Sequence, residues 1–206
     1  MGASATAELL YPDPMTLEQW ADLDEDEPGE FVDGQLEEEE VPTHLHELVV
    51  AWLVRILGNF AAPRGGWVFG SEHKLRVTKT RGRKPDVTMY VPGTRLRSGA
   101  SLSRTPPQLV VEVLSVRPRD VLRDRRDKLF EYARFGVRFY WIIDPRVRLL
   151  EVFELDENGG AALRHAVSEG QVETLGIEGL ALDLSALWAE VDKLDEGSDD
   201  EDEEHL

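Results

Sequence analysis

Asp86, Glu112 and Lys128 are the residues of this chain whose types and spacing could do chemistry together. Two carboxylates from separate segments can hold a hard divalent cation, because Mg2+ takes oxygen ligands and completes its shell with water and substrate phosphate oxygens. An ammonium beside them can orient an attacking water and offset charge on a phosphoryl group. Glu112 stands out because it interrupts Leu109-Val110-Val111-Glu112-Val113-Leu114, an otherwise apolar run of the kind found in strands buried on both faces. An ionised carboxylate there is costly without a compensating cation. That cation is either one of the many arginines or a metal ion at the open end of the strand. Asp86 follows Pro85 at the mouth of the β-rich stretch Val87 to Val91. Alone it reads as a turn-forming Pro-Asp pair. Beside Glu112 on an adjacent strand it becomes half of a two-carboxylate Mg2+ site, to which the Val113 main-chain carbonyl could add a ligand. Lys128 falls on a helix expected over Asp120 to Phe135, where Asp124, Lys128 and Tyr132 recur at intervals of four and share a face. It either sits near the metal or forms an ordinary surface pair with Asp124. Asp127 turns off that face.

The charge distribution agrees with a site for a polyanion. The segment from Arg64 to Arg148 holds 20 of the 23 Lys and Arg residues and only 8 of the 41 Asp and Glu. It therefore carries +12, against −30 for the rest of a chain whose total is −18. Such an overall charge argues against loose binding of nucleic acid through bulk electrostatics, so any contact must be local. The arginines between Arg117 and Arg126 are either phosphate contacts, which position a backbone without reading sequence, or a solvated helix face.

The elements that must position these groups can be read from apolar periodicity. Thr43 can cap a helix running to about Asn59, with Leu45, Leu48, Val49, Trp52, Leu53, Ile56 and Leu57 at helical spacing. Trp67 to Gly70 and His73 to Val77 read as short strands, Lys79 to Lys84 as a basic turn, and Gly93 to Pro107 as a loop. Gly136 should stop the helix that carries Lys128. Arg138 to Ile143, Leu149 to Leu155 and Ala162 to Val167 follow as strands, then Leu184 to Val191 as a short closing helix. Helix, strands, helix, strands, helix implies one mixed α/β sheet with helices on its faces. The expected organisation is one domain over residues 1–194 and a disordered acidic tail over 195–206, which either solubilises the chain or covers the basic face. The chain has no cysteine, hence neither disulfides nor a thiolate zinc site. Met1 to Tyr11 lacks the pattern of a signal peptide, and no membrane span is expected. A cytoplasmic location fits.

Four strings in order carry a resemblance: Arg-Lys-Pro-Asp-Val (83 to 87), Val-Val-Glu-Val-Leu-Ser (110 to 115), Asp-Lys-Leu-Phe-Glu-Tyr-Ala-Arg-Phe-Gly-Val (127 to 137) and Tyr-Trp-Ile-Ile-Asp-Pro (140 to 145). With Gly-Glu-Phe-Val-Asp-Gly-Gln-Leu (29 to 36), a His near the first long helix and Gly-Leu-Ala-Leu-Asp-Leu (179 to 184), the chain resembles the Uma-type endonuclease family of the PD-(D/E)XK, restriction-endonuclease-like superfamily. The likeness runs roughly from Met15 to Val191. It implies a restriction-endonuclease-like mixed central sheet flanked by helices and a metal-dependent phosphodiesterase-type site. Asp86 matches the motif's Asp and Glu112 its acidic strand residue. The superfamily's usual Lys two residues after the Glu is missing, since Leu114 stands there, and the family's helical Lys matches Lys128. His46 matches the family's helical His. Glu30 is a candidate outer-shell acid, whereas turn chemistry explains Asp33-Gly34.

The resulting expectation is Mg2+- or Mn2+-dependent hydrolysis of DNA, with accessory places for His46, Glu30, Asp124 and Tyr132, and a homodimer if both strands are cut. The competing expectation is a nuclease fold without catalysis, serving as a nucleic-acid-binding or protein-interaction module.

Overall fold

The computed structural model describes residues 14–23, 29–37, 41–114, 124–173 and 176–194. The acidic tail, the start of the chain, the acidic runs within 24–28 and 38–40, and the arginines from Arg117 to Arg123 lie outside the described residues, as does the side chain of Asp124.

The first described helix, α1 (Leu17–Ala21), is closed by a capping box in which Thr16 and Gln19 satisfy each other's backbone N–H groups. Two short strands follow, β1 (Glu30–Val32) and β2 (Gln35–Glu37), then the long helix α2 (His44–Ala61) capped by Thr43. Strands β3 (Trp67–Phe69), β4 (Leu75–Arg76), β5 (Arg81–Arg83), β6 (Val87–Tyr90) and β7 (Leu109–Val113) come next. A π-helical turn, Asp124–Lys128, runs directly into α3 (Leu129–Phe135), which Gly136 ends in the left-handed conformation at φ 102°. The chain closes with β8 (Phe139–Asp144), β9 (Leu149–Leu155), β10 (Ala161–Val167), β11 (Gln171–Val172), β12 (Leu182–Asp183) and α4 (Leu184–Val191).

Six strands form the central sheet in the order β10-β9-β8-β7-β6-β3. Only β7 and β8 run parallel, joined by the crossover that holds α3; the other pairings are antiparallel. The sheet is mixed, as expected. Alternation along β7 and β8 divides the side chains between two layers. Leu109, Val111, Val113, Phe139, Trp141 and Ile143 face α2 and α4 in the larger core. Val110, Leu114, Tyr140 and Ile142 meet Tyr132 and Ala133 of α3 in the second core. Glu112 shares the parity of Val110 and Leu114, so it too points to the α3 side. By length and hydropathy alone the stretch His44–Arg64 is long and apolar enough to cross a membrane. Here its Val49, Trp52, Leu53 and Leu57 are buried against the sheet, which makes α2 a core helix.

A second, four-stranded antiparallel sheet, β2-β1-β5-β4, lies beside the first, and its Leu75 packs into the α3-side core. This sheet corrects two readings. Lys79 to Lys84 is not simply a basic turn, because Arg81–Arg83 is a strand paired with β1 and β4. Its Arg83 is 1% exposed, and ion pairs rather than apolar character let it go inside. The stretch His73 to Val77 contains only the two-residue strand β4.

Candidate active site

The register of β6 against β7 pairs Val87 with Val111, and Asp86 and Glu112 are the next residues of the two chains beyond that pair. The two carboxylates thus come from neighbouring strand ends. Asp86 is held twice: its Oδ2 accepts the Val113 backbone N–H at 2.7 Å, and its Oδ1 lies 3.3 Å from Nε2 of His46 in the first turn of α2. Glu112 is 3% exposed. Its Oε1 accepts the Tyr132 hydroxyl at 2.7 Å and lies 3.1 Å from Lys128 Nζ. Lys128 is thus a cation that compensates this buried carboxylate.

Lys128 is itself 3% exposed and also approaches Glu30 Oε1 at 3.3 Å. Lys128 and Tyr132 both reach Glu112, so the expected spacing of four brings these two together. The turn Asp124–Lys128 is π-helical, and the side chain of Asp124 lies outside the described residues. Asp127 is exposed, in keeping with its position off the face.

His46 faces Asp86, whereas His44 is exposed at the start of α2. Burial works against the imidazolium of His46, but the hydrogen bond and charge of Asp86, with Glu47 nearby, outweigh it and raise the pKa above the ordinary 6.5. Its Nδ1 is buried without a hydrogen-bond partner, 3.6 Å from Glu47 Oε1. Tyr132 is fully buried; burial first, then the negative charge of Glu112 and Glu30, pushes its hydroxyl pKa well up, so it remains a donor.

Two residues of this cluster were not singled out in the sequence. Arg83 donates to Glu30 Oε2 at 2.7 Å and forks onto Glu131 at 2.7 and 3.0 Å. Burial disfavours its charge, yet the two carboxylates raise its pKa further. A basic run gives no signal of which arginine turns inward; the only hint was that Glu30 and Glu131 sit among apolar residues.

Among the described residues no group of three or more His, Asp or Glu forms a metal-binding set. Asp86 and Glu112 each offer hard oxygen donors, the type that Mg2+ or Mn2+ takes together with water and substrate oxygens. The donor chemistry fits such an ion.

Comparison with known proteins places this arrangement in a class. The crystal structure of "a putative nuclease belonging to DUF820" from Anabaena variabilis superposes with a TM-score of 0.69. It is 18% identical, and the match covers 85% of this chain and 98% of that one, so the two share a fold. No curated protein matches the sequence. The chain belongs to the Uma2 family, described as "Putative restriction endonuclease", whose model matches residues 14–185.

Proposed function

We propose that the protein is a divalent-metal-dependent endonuclease that hydrolyses DNA phosphodiester bonds at the Asp86–Glu112–Lys128 site. One observation carries the reading: Lys128, from the crossover helix, reaches to 3.1 Å from the carboxylate of Glu112, and the neighbouring Val113 amide donates to Asp86 at 2.7 Å. A buried acid paired with an amine, next in the chain to the amide that holds a second acid, supports a functional role, since a packed core has no need of such groups. Asp86 and Glu112 would hold Mg2+ or Mn2+, with the Val113 carbonyl as a further oxygen, and the ion would supply Lewis-acid activation of water and of the phosphoryl group. Lys128 presents its ammonium to the attacking water and to the charge that grows on the phosphate oxygens. The Val113 amide and His46 fix the rotamer of Asp86, and Tyr132 fixes that of Glu112, so neither carboxylate has to be ordered at the moment of reaction.

A second reading has an observation of its own. Glu112 and Lys128 are buried and paired with one another, an arrangement that a nuclease fold used only for binding would also keep. Labelled DNA and RNA duplexes, titrated with Mg2+ and Mn2+, separate the two. The enzyme reading expects metal-dependent cleavage, strongest on DNA, that Asp86→Ala abolishes while circular dichroism stays native. Shifted but uncut DNA at every metal concentration would support the binding module instead.

A further inference from the structure

We propose that Glu30, gripped by Arg83, is a positioning residue for the Lys128 amine. The inference rests on the catalytic reading of Lys128 given above. Glu30 belongs to β1 of the small sheet, far from the carboxylates in sequence, and is fully buried. Its Oε1 accepts the Lys84 backbone N–H at 3.1 Å and lies 3.3 Å from Lys128 Nζ; its Oε2 accepts Arg83 Nη1 at 2.7 Å. The remaining edge of the Arg83 guanidinium is spent on the Glu131 carboxylate. Glu131 lies three residues beyond Lys128, about one helical turn. A closed ring results, from Lys128 to Glu30, to Arg83, to Glu131 and back along the helix.

The ring has a use that core packing lacks. Lys128 ends a π-helical turn that runs directly into α3, so the helix fixes the start of its side chain but not its ammonium. Its flexible four-carbon stem would leave the ammonium free to wander unless acceptors were fixed in advance. Glu112 is one acceptor, but a cation at the strand ends would compete for its charge. Glu30 sits on another sheet and keeps an anionic acceptor against the amine in either state. The guanidinium fork is planar and rigid, so it transmits the position of the small sheet to both Glu30 and the turn that bears Lys128.

Glu30→Gln is nearly isosteric, removes the charge and turns one of the two acceptor oxygens into an NH2 donor. Its turnover should fall by about tenfold to a hundredfold while the KM for DNA stays at the wild-type value. The same substitution placed on Lys128→Ala should add nothing, because Glu30 acts through the amine. In metal-free protein, the Lys128 ammonium resonance, assigned by its loss in Lys128→Ala, should exchange with water faster in Glu30→Gln than in wild type. Glu30→Asp, which keeps the charge but withdraws it by one methylene, should repeat the pattern and serves if the Gln variant does not fold. Wild-type turnover in the Glu30 variants, or an equal slowing with and without Lys128, would overturn the inference while leaving a slow Lys128→Ala enzyme, and with it the catalytic reading, intact. A Lys128→Ala protein that cuts as fast as wild type would instead remove the catalytic reading and this inference together.

Discussion

At Glu112 the chain places a carboxylate where a valine would pack, and Tyr132 and Lys128 are the groups that make this tolerable. A buried charge left one donor short costs about 1–3 kcal/mol. Tyr132→Phe should therefore lower unfolding stability by that order in urea titrations, with the ring still packed against Tyr140 at 5.3 Å between centroids. An unchanged midpoint would mean that the hydroxyl does not help to satisfy Glu112. Asp86 and Glu112 stood out in the sequence because a charge inside an apolar run, or just before one, demands an explanation, and Lys128 because of its spacing of four from Tyr132 and the family resemblance. Arg83 and Glu131 did not, because one arginine in a basic run and one glutamate on a helix resemble surface residues until a third element is folded over them.

At the scale of elements, apolar periodicity located most of the central sheet and the helices on its faces. Leu149–Leu155 and Leu184–Val191 fall where the pattern placed them, the strand because its apolar residues serve the cores on both faces of the sheet and the helix because Leu184, Leu187 and Trp188 repeat against one. The small sheet escaped. Its strands are two or three residues long, too short to show a period, and β5 reads Arg-Gly-Arg. What joins it to α1 is contact rather than pattern: a Cβ added at Gly82 would lie 2.3 Å from the Trp20 ring, and the Trp20 indole N–H donates to the Gly29 carbonyl at 3.0 Å. Gly82→Ala should therefore destabilise the protein by about 1–3 kcal/mol in chemical denaturation, since Trp20 is 1% exposed and the ring has no room to move. A stability equal to wild type would show that α1 can shift away from β5 at no cost.

For the whole molecule, the basic excess of the middle segment suggested a bare positive face, and the fold tempers that. Glu18 meets Arg76 and Arg104, Asp33 meets Arg81, Glu30 meets Arg83, Glu154 meets Arg138, and Asp192 meets Arg148. Flanking acids thus fold back onto the basic segment, which sequence order alone could not reveal. The exposed pairs add little stability. A larger pH effect comes from His73, which stacks on Phe69 and lies 2.9 Å from the Tyr90 hydroxyl. Burial pushes its pKa down from 6.5 to about 4. Between those values the unfolded chain binds the proton and the folded one does not. Stability present above the unfolded pKa is therefore lost as pH falls toward the folded one, by at most on the order of 3 kcal/mol. His73→Phe keeps the stack and should lose less stability than wild type between about pH 7 and about pH 5 in denaturant titrations. Parallel losses in the two proteins would assign the acid sensitivity elsewhere.

The central claim is hydrolysis at two carboxylates and an amine, and conversion of supercoiled plasmid to nicked and linear forms tests it most directly. With Mg2+ or Mn2+, wild type should cut, a chelator should stop it, and Asp86→Asn and Glu112→Gln should cut at least about a hundredfold more slowly at equal DNA binding. Plasmid left intact by wild type in either metal, or cut at the wild-type rate by both variants, would contradict it.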